Sequence, residues 1–200
     1  MVLLLVKPYL QDQEHDFYLW LNDDTFLFPE CLQLLFSGSI ECNHQSIIVG
    51  ATKSAITNKI TYGGREVNDV LLQPNGVLQQ CHHFNGNVVL IPKYVYKIVG
   101  KLDPIFHHAL GDFDYGLRAG KAQIRMYVAS EFLGYCEGHD NFAKWCQPER
   151  PLKERYQALY SSTCDCNPKQ FFAFESRHYG RVTAVFHWIT IHIRLIFPKV

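Results

Sequence analysis

Two groups of carboxylates stand where residue type and spacing could support chemistry. The first is Asn22-Asp23-Asp24, which ends the aromatic run Phe17 to Leu21. Adjacent aspartates repel each other, so a stable chain keeps such a pair in solvent or beside a cation. Oxygen ligands of this kind suit Mg²⁺ or Mn²⁺ bridging to phosphates rather than zinc. The second group is Asp112 and Asp114 in GDFDYGLR, where a carboxylate could take the proton of an attacking hydroxyl. Each group also has a plainer use. Asp23-Asp24 could be a polar turn before a helix that starts near Pro29. Asp112 could be a helix N-cap, and Asp114 a first-turn partner of the helix dipole.

The elements that must position these groups are legible in outline. Phe17 to Leu21 is an apolar run without polar alternation, which suits a strand buried on both faces in a parallel α/β sheet. In such sheets ligands bind outside the carboxyl ends of the strands, where Asn22-Asp23-Asp24 falls. Pro29 to Phe36 predicts a short helix stopped by Ser37-Gly38, and Ser46 to Ala51 predicts the next strand. Strand, helix and strand in that order predict a parallel pair. Lys59 to Leu72 predicts two short strands around Gly63-Gly64 as an antiparallel excursion.

Phe84 to Ile91 predicts a strand interrupted at Asn85-Gly86-Asn87, where a missing side chain would let a ligand or another strand approach. Pro92 opens a helix to about Val99, with Gly100 as its stop. Helical spacing runs from Asp112 to Gly120. Ile124 to Val128 and Phe132 to Cys136 predict two more strands. Pro151 to Tyr160 and Pro168 to Tyr179 predict amphipathic helices. The tail, Val182 to Phe197, is apolar but carries His187, His192 and Arg194. It reads either as a helix on a membrane surface or partner, or as a terminal helix covering the sheet.

Composition narrows the class. With 200 residues, 48% hydrophobic and 19% charged, the chain is long enough for a well-buried domain and shows no disorder signature. Nineteen basic and nineteen acidic residues cancel, so no global field favours nucleic acid. The cysteines number seven and are scattered. Without a secretory signal they read as reduced cytosolic thiols. His82-His83, His107-His108 and Cys164-Asp165-Cys166 invite a zinc reading, but no CxxC pair recurs with finger spacing. No stretch reaches the roughly 20 apolar residues of a membrane span.

Three segments, LWLNDDT, FNGNVVLIPKYVYKIVGKLDP and GDFDYGLRAGKA, resemble in order and spacing the family-2 glycosyltransferases of the GT-A fold. ITYGGREV before the middle segment and PLKERYQ after the last one make the chain similar to the bacterial rhamnosyltransferase-like branch. The resemblance runs from about Asp16 to the C-terminal helix. It implies an α/β, GT-A-like mixed and mainly parallel sheet flanked by helices, over residues 1–140. A helical C-terminal extension, 141–200, would pack on it.

By resemblance, Asn22-Asp23-Asp24 corresponds to the family's DxD-type motif, with Asn in the first acidic position. Asp24 would hold Mg²⁺ or Mn²⁺ on the diphosphate of a nucleotide-sugar donor. Asp23 would support it at metal, ribose or phosphate, with Asn22 beside the donor. Asp112 takes the place of the catalytic base, with Asp114 two residues on. Asn85-Gly86-Asn87 corresponds to the segment near the sugar or acceptor, or is simply a bulged strand. Arg118 could pair with the diphosphate, or with Asp114 four residues before it on the helix. His139 stands where some relatives place a metal-binding histidine, and is otherwise a surface residue.

The implied activity is transfer of a sugar, with inversion, to a glycan or lipid-linked acceptor. It would take place in the cytoplasm, peripheral on the inner face of the plasma membrane. The family's first strand-helix-strand would precede Phe17, where about fifteen residues are too few for it. The expectation is therefore an incomplete nucleotide-binding half. The alternative function is an inactive fragment that acts as a binding or interaction protein.

Overall fold

The computed structural model describes residues 15–107, 110–138 and 143–198. The chain forms two compact units, Met1–Lys101 with Tyr115–Gly138, and Leu102–Asp114 with His139–Val200. The protein is mixed α/β.

The first unit carries β1 (Phe17–Leu21), β2 (Phe26–Leu27), α1 (Cys31–Glu41), β3 (Ile47–Lys53) and β4 (Ile60–Tyr62). It continues with β5 (Gly64–Arg65), β6 (Gln79–Cys81), β7 (His83–Phe84), β8 (Val88–Pro92) and α2 (Lys93–Val99). The helix α3 (Gly111–Lys121) starts in the second unit and ends in the first, and β9 (Met126–Tyr135) closes the first unit.

The main sheet runs β1-β8-β3-β9-β2, with β4 on β3 and β6 on β9. The pair β3–β9 is parallel, while β1–β8, β8–β3, β9–β2, β3–β4 and β6–β9 are antiparallel. The sheet is thus mixed, and the expectation of a mainly parallel one is corrected. The physical reason lies in β8. It enters between β1 and β3, antiparallel to both, with Leu19 and Ile48 both opposite Leu90. The strands β1 and β3 still point the same way, as the helix between them requires, but they are not neighbours.

Central position explains composition. β3 is covered on both faces and flanked by β8 and β9, so Ile47 to Thr52 are all buried. The same holds for all five residues of β8. Cys31 and Leu35 of α1 pack with Ile48, Val88, Leu90, Ala129 and Leu133 into the core of this unit. The helix α1 does not stop at Ser37-Gly38 but continues to Glu41. Gly38 is there for proximity: a Cβ on it would lie 3.1 Å from Leu78 and 3.4 Å from Ile48.

The two strands expected over 124–136 form the single strand β9, whose register against β3 shifts between Val49 and Thr52. The excursion at 59–72 gives β4 and β5 as expected. They pair with β3 and β7 rather than with each other. Gly100, at φ 81°, ends α2 as the left-handed residue an L side chain adopts reluctantly.

The second unit contains a 3-10 turn (Lys144–Cys146), α4 (Leu152–Leu159), α5 (Pro168–His178) and α6 (Arg181–Ile196). Trp145, Leu159, Ile191 and Leu195 form its core. Asn167 caps α5 by accepting from the backbone N–H groups of Lys169 and Gln170, and Pro168 occupies the first helical position.

Candidate functional site

The Asn22–Thr25 turn lies at the carboxyl end of β1. The Asn22 N–H donates to the Asn87 carbonyl at 3.0 Å, which extends the β1–β8 ladder by one residue. The Thr25 N–H donates back to the Asn22 carbonyl at 3.2 Å and closes the turn. The chain then pairs as β2 with the end of β9, Phe26 opposite Tyr135 and Leu27 opposite Gly134. Gly134 is required by that approach, because a Cβ there would come 2.5 Å from the Phe26 carbonyl oxygen. The turn is thus held between the start of β8 and the end of β9.

Within this frame Asn22, Asp23 and Asp24 are exposed, and Asn87 and Cys136 beneath them are buried. The Asn87 amide donates to Cys136 Sγ at 3.4 Å, and the Cys136 thiol donates to Asp24 Oδ1 at 3.6 Å. An amide, a thiol and a carboxylate therefore follow one another from the core to the surface, and the last is oriented by the first two. Burial pushes the Cys136 thiol up from its ordinary pKa, and the Asp24 carboxylate adds to the shift. The thiol consequently stays protonated and keeps its donor for Asp24.

Cys136 was not singled out in the sequence. Its signal was its place directly after a strand end, on the same sheet edge as the aspartates. At that edge Lys53, the last residue of β3, lies 5.4 Å from the Phe132 ring centre, 5.8 Å from Tyr135 and 5.9 Å from Phe28. Its backbone carbonyl accepts from the Cys136 N–H at 3.1 Å.

The structure brings Asn22, Asp24 and Asn87 together in this way. Asn85, two residues before Asn87, is tied elsewhere: its N–H donates to Gly63 O at 2.9 Å, and its Oδ1 accepts from Arg65 Nε at 3.1 Å. Asn85, Gly86 and Asn87 form the break between β7 and β8, with Asn85 and Gly86 half-buried. The guanidinium of Arg118 donates to the carbonyls of Val99 at 2.6 Å and Lys101 at 2.9 Å, and it lies 5.1 Å from the Tyr115 ring centre. Those bonds satisfy carbonyls at and just beyond the C-terminus of α2, where a cation also answers the helix dipole.

Asp112 and Asp114 belong to the second unit. Asp112 is half-buried in the first turn of α3, and its Oδ1 lies 2.9 Å from the Phe113 N–H. Asp114 is fully buried. Its Oδ1 accepts from Arg177 Nη1 at 2.7 Å and lies 2.8 Å from His178 Nε2. Arg177 reaches on to Asp103 through Nη2 at 2.6 Å. Asp103 is held well below the usual carboxylate range, first by the Ile105 backbone N–H and then by Arg177. Asp114 is thus an ion-paired anchor for the end of α5 within this unit. His139 lies outside the described residues.

Among the described residues, no cluster of three or more His, Cys, Asp or Glu side chains is arranged to hold a metal ion. The donors at the β1 turn are nevertheless those of a cation completed by water and by substrate phosphates, which needs only one or two protein carboxylates. Mg²⁺ or Mn²⁺ fits that chemistry, while the four-ligand closure of structural zinc has no counterpart among the described residues. The chain matches no protein-family model and no curated protein. No helix among the described residues is long and apolar enough to cross a membrane.

Proposed function

We propose that the protein is a glycosyltransferase of the family-2, GT-A type. It would move a sugar from a nucleotide-diphosphate donor to a glycan or lipid-linked acceptor, with inversion. The observation that carries the reading is the exposed Asn22-Asp23-Asp24 turn at a sheet edge, with Asp24 oriented by the buried Asn87–Cys136 pair. A carboxylate oriented by buried partners is the kind of pre-positioned group a ligand site uses. The three-segment resemblance adds the sugar chemistry.

Asp24, with Asp23 beside it, would hold Mg²⁺ or Mn²⁺, whose charge offsets that of the leaving diphosphate. Asn22 presents its amide at the same turn, and Asn87 acts from beneath through Cys136. Asp112 is the base. Its carboxylate takes the proton of the acceptor hydroxyl as that oxygen bonds to the anomeric carbon, and the carbon–oxygen bond to the diphosphate breaks with its electron pair. Asp114, saturated by Arg177 and His178, serves this scheme by fixing the chain two residues beyond the base.

Titration calorimetry of the purified chain with Mn²⁺ and a panel of UDP-, GDP- and dTDP-sugars tests the reading. One donor is expected to bind only with metal, and Asp24→Ala is expected to abolish that binding. Asp112→Asn should leave donor binding intact and lower turnover by about 10²-fold or more. A folded chain that binds no nucleotide-sugar removes the enzyme and leaves a binding protein.

A further inference from the structure

The helix α6 has two apolar faces. Ala184, Ile191 and Leu195 are buried, and the last two belong to the core of the second unit. On the opposite side Val182, Val185, Phe186, Ile189, Ile193 and Ile196 are all exposed, Phe186 by 62% and Val182 by 86%. At 3.6 residues per turn these six fall within a stripe roughly 100° wide on the side away from the buried face. A helix that is apolar all round is normally enclosed. This one leaves a continuous aliphatic and aromatic strip along its full 16 residues, about 24 Å.

Charge identifies what covers the strip. α6 contains no Asp or Glu, and Arg181 and Arg194 are exposed near its two ends. Across the hairpin Pro168–Ile196 the cations Lys169, Arg181 and Arg194 are exposed, Arg177 is taken up by Asp103 and Asp114, and there is one carboxylate. That carboxylate, Glu175, is buried and lies 3.0 Å from His187 Nδ1. Trp188 borders the strip and, with Pro168, Lys169, Phe172 and Val185, lines an apolar groove of about 350 Å³ between α5 and α6.

A second copy of the chain packed on this strip would set arginine against arginine with no carboxylate on either helix to answer them, and like-charge contact of that kind is costly. An anionic lipid surface answers both features at once: acyl chains cover the strip, and headgroup phosphates pair with the arginines. We propose that α6 is an interfacial helix that docks the protein on anionic lipid bilayers. Val182, Phe186, Ile189 and Ile193 dip below the headgroups, Arg181 and Arg194 lie at phosphate level, and Trp188 sits at the boundary. The assignment stands apart from the enzymatic reading, because lipid binding is measured without donor, acceptor or turnover.

The test is flotation of the full chain with vesicles of mixed phosphatidylglycerol and phosphatidylcholine, and with phosphatidylcholine alone. The chain should float with the mixed vesicles, with a blue shift of tryptophan emission, and bind the neutral ones far more weakly. Phe186→Ser with Ile189→Ser should lower partitioning at least about tenfold through loss of inserted apolar area. Arg181→Gln with Arg194→Gln should lower it by about fivefold per charge, and added salt should act in the same direction. All four positions are exposed, so circular dichroism should be unchanged in both variants. Three results would overturn the proposal: no flotation of the folded chain, flotation indifferent to the Phe186 and Ile189 changes, or a dimer that those changes dissolve in a chain that ignores vesicles.

Discussion

Arg177→Met isolates the buried charge on which the second unit depends. In the native chain Asp114 is fully buried between Arg177 at 2.7 Å and His178 at 2.8 Å. Methionine keeps most of the aliphatic stem and removes the guanidinium, so the change is electrostatic more than steric. Stripping one partner from a buried ion pair costs roughly 3–5 kcal/mol, because the remaining charge stays desolvated. Two features reduce that figure here. The Arg177 side chain is 34% exposed, so solvent already screens part of the pair, and His178 remains beside the carboxylate. The outer bond to Asp103 is half exposed to water and adds about 0–1 kcal/mol. A net loss of about 2–3 kcal/mol follows from these terms together.

In a chain of this length that loss corresponds to a fall in Tm of about 4–12 °C. Urea denaturation should follow both far-ultraviolet circular dichroism and tryptophan emission, because Trp145 lies in the core of the second unit and reports on it directly. Asp114→Asn and the double variant complete a cycle whose coupling should exceed about 1 kcal/mol. A loss below about 0.5 kcal/mol for Arg177→Met, with no coupling, would refute the argument that Asp114 is a structural anchor.

Gly64→Ala places a methyl against Val128 Cγ2 and 2.9 Å from Cys81 Sγ, both fixed in the sheet, and should cost about 2–3 kcal/mol by overpacking. Gly76→Ala meets nothing within 4 Å but forces an L side chain to φ 92°, so it should cost only about 1 kcal/mol; urea midpoints of the two variants rank them. Burial pushes the Cys31 thiol up to about 11 and those of Cys81 and Cys166 up to about 12, from an ordinary 9.0. Above pH 9 the unfolded chain ionises these thiols while the folded chain holds their protons, so stability is full below pH 9 and falls steadily as pH rises towards 12. Urea midpoints at pH 8 and pH 10 should show the drop, and Cys81→Ala should reduce its slope.

What was legible in the sequence was local. Phe17–Leu21 reads as a strand because an apolar, aromatic-rich run ends at a polar turn, and the structure places β1 over those residues. The expectation of a strand buried on both faces in a parallel sheet is corrected, since β1 ends the described sheet, pairs antiparallel with β8 and buries only Trp20. Pro92 and Gly100 punctuate α2 for conformational reasons that any context would respect. What was not legible depends on partners far along the chain. Gly38 resembles a helix stop until Leu78 and Ile48 are seen against it, when it becomes a contact surface in the middle of α1. The order β1-β8-β3 is decided by which of several apolar strands pairs with β3. No spacing near residue 20 announces that residues 88–92 will intervene.

The candidate site divides along the same line. Asp23 and Asp24, with Asn22 before them, were visible because two adjacent carboxylates at a strand end stand out in a sequence. Their supports, Asn87 and Cys136, lie 63 and 112 residues beyond Asp24. Cys136 in particular looked like one of several scattered thiols. Its role follows only from three strands ending at one edge, where burial keeps the thiol protonated and aimed at Asp24. Asp114 shows the converse. Local spacing offered Arg118, four residues on, as a partner, whereas the ion pair observed is with Arg177, 63 residues away. A charge in a sequence advertises that it needs an answer, but burial decides how strongly, and the fold decides which residue supplies it.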